Sequence, residues 1–308
     1  MNFLHVPVLR AEVLEWLRVA PGGVWVDGTA GGGGHGEAIL EASSPTGLLW
    51  ACDQDGDAVA AASARWARFG DRVRCRRMNF AELAGWVPPG QADGVLLDLG
   101  VSSHQLETAE RGFSFQRDGP LDMRMDRRAP VTAAVVVNEW PEAELARVLW
   151  EYGDEPAARR IARAVVEERG VRRMETTGQL AGLVERVVPR AGQRTHPATR
   201  TFQALRLVVN RELELLPGAL AGAAGLLRPG GRLAVITFHS GEDRRVKEFM
   251  RAEARDYDVP GGVDIPELRV PRAPRGRVLT RRPVEPTEAE VAANPRARSA
   301  RLRVMERL

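Results

Sequence analysis

Hydrophobic positions in the first hundred residues alternate between two rhythms. Leu9, Val13 and Trp16/Leu17 recur at helical spacing, Pro21-Gly22-Gly23 ends that run, and Val24-Trp25-Val26 forms a short apolar stretch closing at Asp27. The same alternation then repeats. Glu37 to Ala42 predicts a helix, Leu48 to Cys52 a strand ending at Asp53, Asp57 to Phe69 an alanine-rich helix and Val73 to Arg76 a third strand. Gly94 to Leu99 predicts a fourth, running into Asp98-Leu99-Gly100. Strands separated by helices need crossover connections, so the pattern predicts an α/β fold with a parallel sheet covered on both faces. Ligands on such sheets bind at the carboxyl ends of the strands, where Asp27, Asp53 and Asp98 all fall.

From about Leu106 to Asn210 the rhythm is helical only. Pro141 to Trp150, Pro156 to Arg169 and Thr177 to Val188 each carry helical periodicity, the last closed by Pro189. Phe202, Leu205, Val209, Leu213 and Leu216 follow at spacings of three and four, as if along one long helix. Alternation resumes with a helix through Leu227, a turn at Arg228-Pro229-Gly230-Gly231, a strand from Arg232 to Thr237 and a helix from Asp243 to Arg255. Pro260 to Pro274 predicts a loop, and Arg277 to Thr280 with Ala300 to Glu306 an antiparallel pair closing the sheet. The expected domains are 1–105 and 213–308, forming one interrupted α/β core, and 106–212, an inserted all-α domain.

Length and composition fit this plan. The 308 residues exceed what one core comfortably organises, and 44% apolar with 28% charged residues excludes disordered and fibrous classes. The N-terminus has no signal-peptide pattern and no apolar run is long enough to cross a bilayer, so the expectation is a cytoplasmic protein without membrane association. Cys52 and Cys75 make neither a disulfide framework nor a metal knuckle, and no His/Cys spacing suggests a metal site. Lys247 is the only lysine among 44 basic residues. The net charge of +3 is unevenly spread. From Arg269 to Leu308 eleven arginines face four glutamates, giving +7 there and −4 over the preceding residues. That asymmetry points to an anionic partner, nucleic acid above all, or to a solvated tail.

Between the first strand and the next helix stands Asp27-Gly28-Thr29-Ala30-Gly31-Gly32-Gly33-Gly34-His35-Gly36. Gly31, Gly33 and Gly36 satisfy G-x-G-x-x-G, and Asp53 lies about twenty residues on, which admits a nicotinamide dinucleotide. The pyrophosphate of that cofactor would meet a carboxylate at Asp27. S-adenosylmethionine carries instead a cationic amino group and a sulfonium, which an acid there suits. On this reading Asp53 accepts from both ribose hydroxyls, Phe80 packs on the adenine, and Asp98 approaches the cofactor and the reacting centre.

Further motifs carry a family resemblance. They are Leu97-Asp98-Leu99-Gly100-Val101-Ser102-Ser103-His104-Gln105-Leu106, Glu110-Arg111-Gly112-Phe113-Ser114-Phe115, Asp118-Gly119-Pro120-Leu121-Asp122-Met123-Arg124-Met125, His196-Pro197-Ala198-Thr199-Arg200-Thr201-Phe202-Gln203, Phe238-His239-Ser240 and Asn294-Pro295-Arg296-Ala297-Arg298-Ser299. With the glycine loop, these resemble the bacterial small-subunit ribosomal RNA cytosine-N4 methyltransferases nearly end to end. The resemblance implies a class I methyltransferase sheet with a helical insert, S-adenosylmethionine as donor and a decoding-region cytosine of 16S ribosomal RNA as acceptor, within the small subunit; a homodimer is left open. It places cofactor contacts on Gly33, Gly34, His35, Asp53, Phe80, Asp98 and Gln105, beside Asp27 and Gly31 from the loop itself. Ala30, Gly32 and His104 depart from residues common in the family.

Methylating an exocyclic amine requires its delocalised lone pair to be drawn onto nitrogen by a hydrogen-bond acceptor and aligned with the methyl. The chain has no Asp/Asn-Pro-Pro-aromatic motif after strand four, so Asp98, or a group from Leu99 to Ser103 such as the Ser102 hydroxyl, is the expected acceptor. An unstacked cytosine needs aromatic or arginine planes. The candidates are Phe113, Phe115, His196, Arg200 and His239, with Arg296, Arg298 and Arg301 meeting phosphates. A dehydrogenase would explain only the loop and Asp53, and a non-catalytic RNA-binding protein only the arginine-rich end.

Overall fold

The computed structural model describes residues 7–189 and 195–308; the extreme N-terminus and the 190–194 stretch of the expected insert lie outside them. The described chain forms two compact units. One runs up to Gly100 and resumes with Leu215–Leu308, and the other is Val101–Glu214.

The first unit holds a seven-stranded sheet. Its strands are β1 (Val24–Asp27), β2 (Leu48–Asp53), β3 (Val73–Arg77), β4 (Ala92–Asp98), β5 (Leu227–Thr237), β8 (Gly276–Val278) and β9 (Arg301–Arg307), while β6 (Tyr257–Asp258) and β7 (Val270–Pro271) make a separate two-residue ribbon. Spatial order is β3-β2-β1-β4-β5-β9-β8. The first five strands are parallel, and β9 runs antiparallel to both β5 and β8. This is the class I methyltransferase sheet expected from the sequence.

Side chains alternate between the two faces at the strand period of two. Trp25, Leu49, Ala51, Leu96, Ala234, Ile236, Leu302 and Val304 pack on one side with α1 (Arg10–Leu17), α2 (Gly34–Ala42) and α3 (Gly56–Trp66). Val26, Trp50, Cys52, Val95, Leu97, Leu233, Val235 and Met305 pack on the other with Leu216 and Leu220 of a helix at Glu212–Leu226 and Val246 and Met250 of one at Ser240–Glu253. Both faces being covered is why these strands read as unbroken apolar runs rather than alternating ones.

The second unit is helical, with α4 (Ser103–Glu107), α5 (Ala133–Glu139), α6 (Glu142–Gly153), α7 (Ala158–Val171), α8 (Thr177–Val187) and α9 (Ala198–Val209) around a core that includes Val136, Leu149, Ile161, Val184 and Phe202. The helices at Glu212–Leu226, Ser240–Glu253 and Glu288–Ala293 are α10, α11 and α12.

Two expectations are corrected. The single long helix through Leu216 is two helices, because Asn210 ends α9 and Arg211 adopts a left-handed φ of 53°. The Asn210 side chain donates to the carbonyls of Met123 (2.8 Å) and Arg206 (2.9 Å) and accepts from the amide of Met125 (2.7 Å), so tertiary hydrogen bonds interrupt a hydrophobic spacing that is itself continuous. The turn at Arg228 to Gly231 is a bulge within β5, looped out between the pairs Ala92–Leu227 and Gly94–Arg232, with Gly230 at φ 80°. α5 went unread because three adjacent valines carry no helical stripe.

Helix α11 is tied to β9 by a buried bidentate pair: Arg303 donates through Nε (2.5 Å) and Nη2 (3.0 Å) to Asp243, the two side chains being 8% and 11% exposed. Removing one member strands the other charge, at about 3–5 kcal/mol. Asp243→Ala is therefore expected to lower the unfolding free energy by about 3 kcal/mol, read from urea denaturation midpoints.

Candidate cofactor site at the strand ends

Sheet order reverses between β1 and β4, so the connections after these two strands depart in opposite directions and leave a crevice at their carboxyl ends. Asp27, Asp53 and Asp98 are the last residues of β1, β2 and β4, three strands in adjacent parallel register. Asp27 is 1% exposed. Its Oδ1 accepts from the amide (3.0 Å) and hydroxyl (3.4 Å) of Thr29, while Oδ2 is buried without a hydrogen-bond partner among the described residues. The Thr29 hydroxyl in turn accepts from the Asp98 amide at 2.6 Å, fastening the loop after β1 to the end of β4. Asp98 Oδ1 is likewise buried and unpartnered, and its Oδ2 lies 3.6 Å from His35 Nε2.

Burial pushes the Asp27 carboxyl up to about 7, assisted by the charge of Asp53 and opposed by the Thr29 hydrogen bonds. Asp98 is raised well above the carboxylate range, first by burial and then by the charges of Asp27 and Glu242. Acids that are costly to ionise together, each with an oxygen turned away from protein donors, fit a ligand bearing donors and positive charge. The amino and sulfonium groups of S-adenosylmethionine answer that description; a pyrophosphate does not.

Asp53 shapes the glycine loop. Its Oδ2 accepts from the Gly31 amide and its Oδ1 from the Asp55 amide, both at 2.9 Å. Gly33 sits at φ 82° as the residue before α2, and its carbonyl accepts from Trp66 Nε1 at 2.8 Å. A Cβ at Gly36 would stand 2.4 Å from Trp66 Cζ2 and 2.9 Å from Leu49 Cδ2, so the last glycine of the motif serves helix–sheet packing. α2 starts at Gly34, three residues before the helix read from hydrophobicity, and this brings buried His35 into its first turn beside Asp98. Phe80 opens a 3₁₀ turn after β3 and is half-buried at the edge of the core beneath the loop.

The remaining candidates lie on other elements. Gln105 and Ser102 belong to the second unit, where they form a reciprocal cap of α4: the Ser102 hydroxyl accepts from the Gln105 amide (3.3 Å) and Gln105 Oε1 from the Ser102 amide (2.9 Å). Phe113 is 7% exposed and belongs to the helical core. Phe115 stacks near His196 and Phe202, at ring-centroid distances of 4.6 and 4.8 Å, and His196 Nδ1 accepts from the Ala198 amide at the start of α9. His239 caps α11, its Nδ1 accepting from the amides of Gly241 (3.2 Å) and Glu242 (3.4 Å). Arg200, Arg296 and Arg298 are exposed.

Sequence reasoning passed over Thr29 and Glu242. A threonine two residues after the strand-end aspartate is the spacing of a local Asx-type turn, and Glu242 three residues after His239 is that of a capping box; both signals were available. The Glu110–Phe115 and Asp118–Met125 motifs also prove structural, since buried Arg111 donates to the carbonyls of Arg124 (2.9 Å) and Met125 (3.1 Å) and the Met123 amide to Arg111 O (3.0 Å). Among the described residues no cluster of three His, Cys, Asp or Glu side chains could hold a metal ion, and no helix is long and apolar enough to cross a membrane.

Comparison with known proteins agrees with this geometry. Residues 2–308 match the MraW methylase family. Proteins named ribosomal RNA small subunit methyltransferase H are similar along the whole chain: that of Symbiobacterium thermophilum is 52% identical over 313 residues, covering 100% of this chain and 98% of its own. That of Geobacter sulfurreducens is 52% identical over 313 residues and covered in full on both sides. A cofactor crevice matched to a cationic ligand, on a sheet of this order and in a sequence alike from end to end, leaves one conclusion: the chain belongs to the MraW methylase family.

Proposed function

We propose that this protein transfers a methyl group from S-adenosylmethionine to the exocyclic N4 amine of a cytosine in the decoding region of 16S ribosomal RNA, presented by the small ribosomal subunit. The observation that carries the reading is the pair of buried, unpartnered carboxylate oxygens on Asp27 and Asp98 beside the glycine loop. The names of the relatives supply the class of acceptor. S-adenosylmethionine supplies, when bound, a methyl made electrophilic by its sulfonium.

Asp27 and Asp98 would hold its cationic portion, Asp53 at the end of β2 the ribose, and Phe80 the adenine. Gly31, Gly33 and Gly34 let the backbone approach, and His35 orients Asp98. Gln105 is kept as a cofactor contact of the second unit. Asp98 is also the proposed acceptor for an N–H of the cytosine amine, because its carboxylate, ionised once the positive charge of the cofactor is bound, draws the lone pair onto nitrogen. Ser102 is committed to its helix cap, which argues for Asp98 over Ser102 in that role. Arg296, Arg298 and Arg301 remain proposed phosphate contacts, with Phe115, His196, Arg200 and His239 near the base. Core placement argues against Phe113.

Labelled methyl supplied on S-adenosylmethionine to small subunits lacking the modification should appear, after nucleoside digestion, only in N4-methylcytidine; label in any other nucleoside would overturn the assignment. Asp98→Asn should lower kcat by about 10²-fold at saturating cofactor. Ser102→Ala should leave kcat unchanged and cost about 1 kcal/mol of stability through the lost cap.

The raised carboxyl at Asp27 gives a pH signature. Below about 7 the unliganded side chain holds a proton that a cationic ligand must expel, so affinity for S-adenosylmethionine should fall toward tenfold per pH unit as pH drops, for each proton released. The unliganded protein behaves oppositely. Its native carboxyl binds a proton more tightly than the unfolded one, at about 7 against 3.8, so that contribution to stability is lost as pH rises between those values. Calorimetry in buffers of differing ionisation enthalpy measures the proton release, which Asp27→Asn should reduce.

A further inference from the structure

Most arginines of the basic C-terminal forty residues are neutralised locally. Arg269 pairs with Asp264, Arg272 with Asp258, Arg275 with Glu253, Arg277 with Glu306, Arg303 with Asp243 and Arg307 with Glu253. Against that background one cluster is different. A cavity of about 290 Å³ between α11 and the β8–β9 edge is lined by Lys247, Arg251, Arg281 and Arg303, with Thr280, Met250 and Val278. Among the described residues neither Lys247, Arg251 nor Arg281 has a carboxylate partner. Arg303 is already matched by Asp243, so three positive charges face one cavity uncompensated.

The arrangement has a structural cost. Lys247 and Arg251 are four residues apart on one face of α11, a like-charge spacing that weakens a helix, and Arg281 adds a third cation from beyond β8. The Thr280 hydroxyl accepts from the Val304 amide at 2.8 Å and keeps its own proton to donate. Cations at a point, hydroxyl donors and partly apolar walls make a seat for a phosphate group. Arg282, next along the chain, is also exposed without a carboxylate partner among the described residues, so positive charge continues past the cavity. That continuation suits a polyanion better than one small anion. We propose that the Lys247–Arg251–Arg281 cavity holds a backbone phosphate of the RNA substrate, and so positions the RNA without touching the reacting atoms.

The proposal rests on the ribosomal RNA reading, and its test separates the two. Binding of a fluorescein-labelled single-stranded decoding-region RNA is measured between 50 and 200 mM salt for wild type, Lys247→Ala/Arg281→Ala and the charge-keeping Lys247→Arg/Arg281→Lys. Each phosphate contact accounts for roughly threefold of affinity over that range. Wild type should therefore lose about threefold more affinity than the neutralised pair, and the charge-keeping pair should follow wild type. The neutralised pair should raise KM for small subunits while its thermal stabilisation by S-adenosylmethionine stays that of wild type. An unchanged salt dependence in the neutralised pair, with wild type still binding RNA, overturns the site and leaves the methyltransferase reading standing. A change in S-adenosylmethionine stabilisation would overturn it too, as would protection of the cavity by inorganic phosphate with no effect on RNA. Wild type that neither binds this RNA nor methylates small subunits defeats the underlying reading.

Discussion

Parallel pairing of β1 with both β2 and β4 is the constraint from which the site follows. It brings Asp27, Asp53 and Asp98 to one edge of the sheet and withdraws Asp27 and one oxygen of Asp98 from water. A buried oxygen without a donor costs on the order of 1–3 kcal/mol, and neighbouring like charges add to that. Thr29 limits the damage by satisfying one oxygen of Asp27 while its hydroxyl fixes the start of the loop after β4. One oxygen of Asp27 and one of Asp98 are left unsatisfied among the described residues, and on the proposed reading a bound cation recovers part of that cost. Affinity in such a site comes from relief as well as contact.

The glycine loop obeys the same economy of space. Trp66 holds the loop from below through the Gly33 carbonyl and occupies the volume a side chain at Gly36 would need. Asp53 holds it from the side through Gly31. The loop is thus shaped by the protein through Gly31, Gly33 and Gly36. A motif read purely as a ligand cradle would have missed that Gly36 answers to packing.

Charge tells a parallel story at the other end of the sheet. The surplus of the last forty residues pointed to an anionic partner or to a solvated tail, yet β8 and β9 are strands of the sheet and most of their arginines meet acids of α11. Net charge along the chain does not report charge in space, because partners distant in sequence cancel it. What remains after cancellation is small, local and more informative than the sum.

By itself the sequence determined the alternation of strands and helices, the three acidic strand ends, the glycine loop and the antiparallel closing pair, because period and punctuation are local properties of the chain. It also carried the family, through ordered motifs along its length. It did not decide where α9 ends, since Asn210 stops that helix by bonding to Met123 and Met125, some 85 residues away in sequence. Nor did it show how motif residues are held: Ser102 and Gln105 form a reciprocal helix cap, His239 caps α11, Arg111 makes buried hydrogen bonds and Phe113 lies in the core. Residue type fixes what a side chain can bond, but the partner it finds depends on which backbone groups the fold leaves unpaired nearby, and only the tertiary structure sets that.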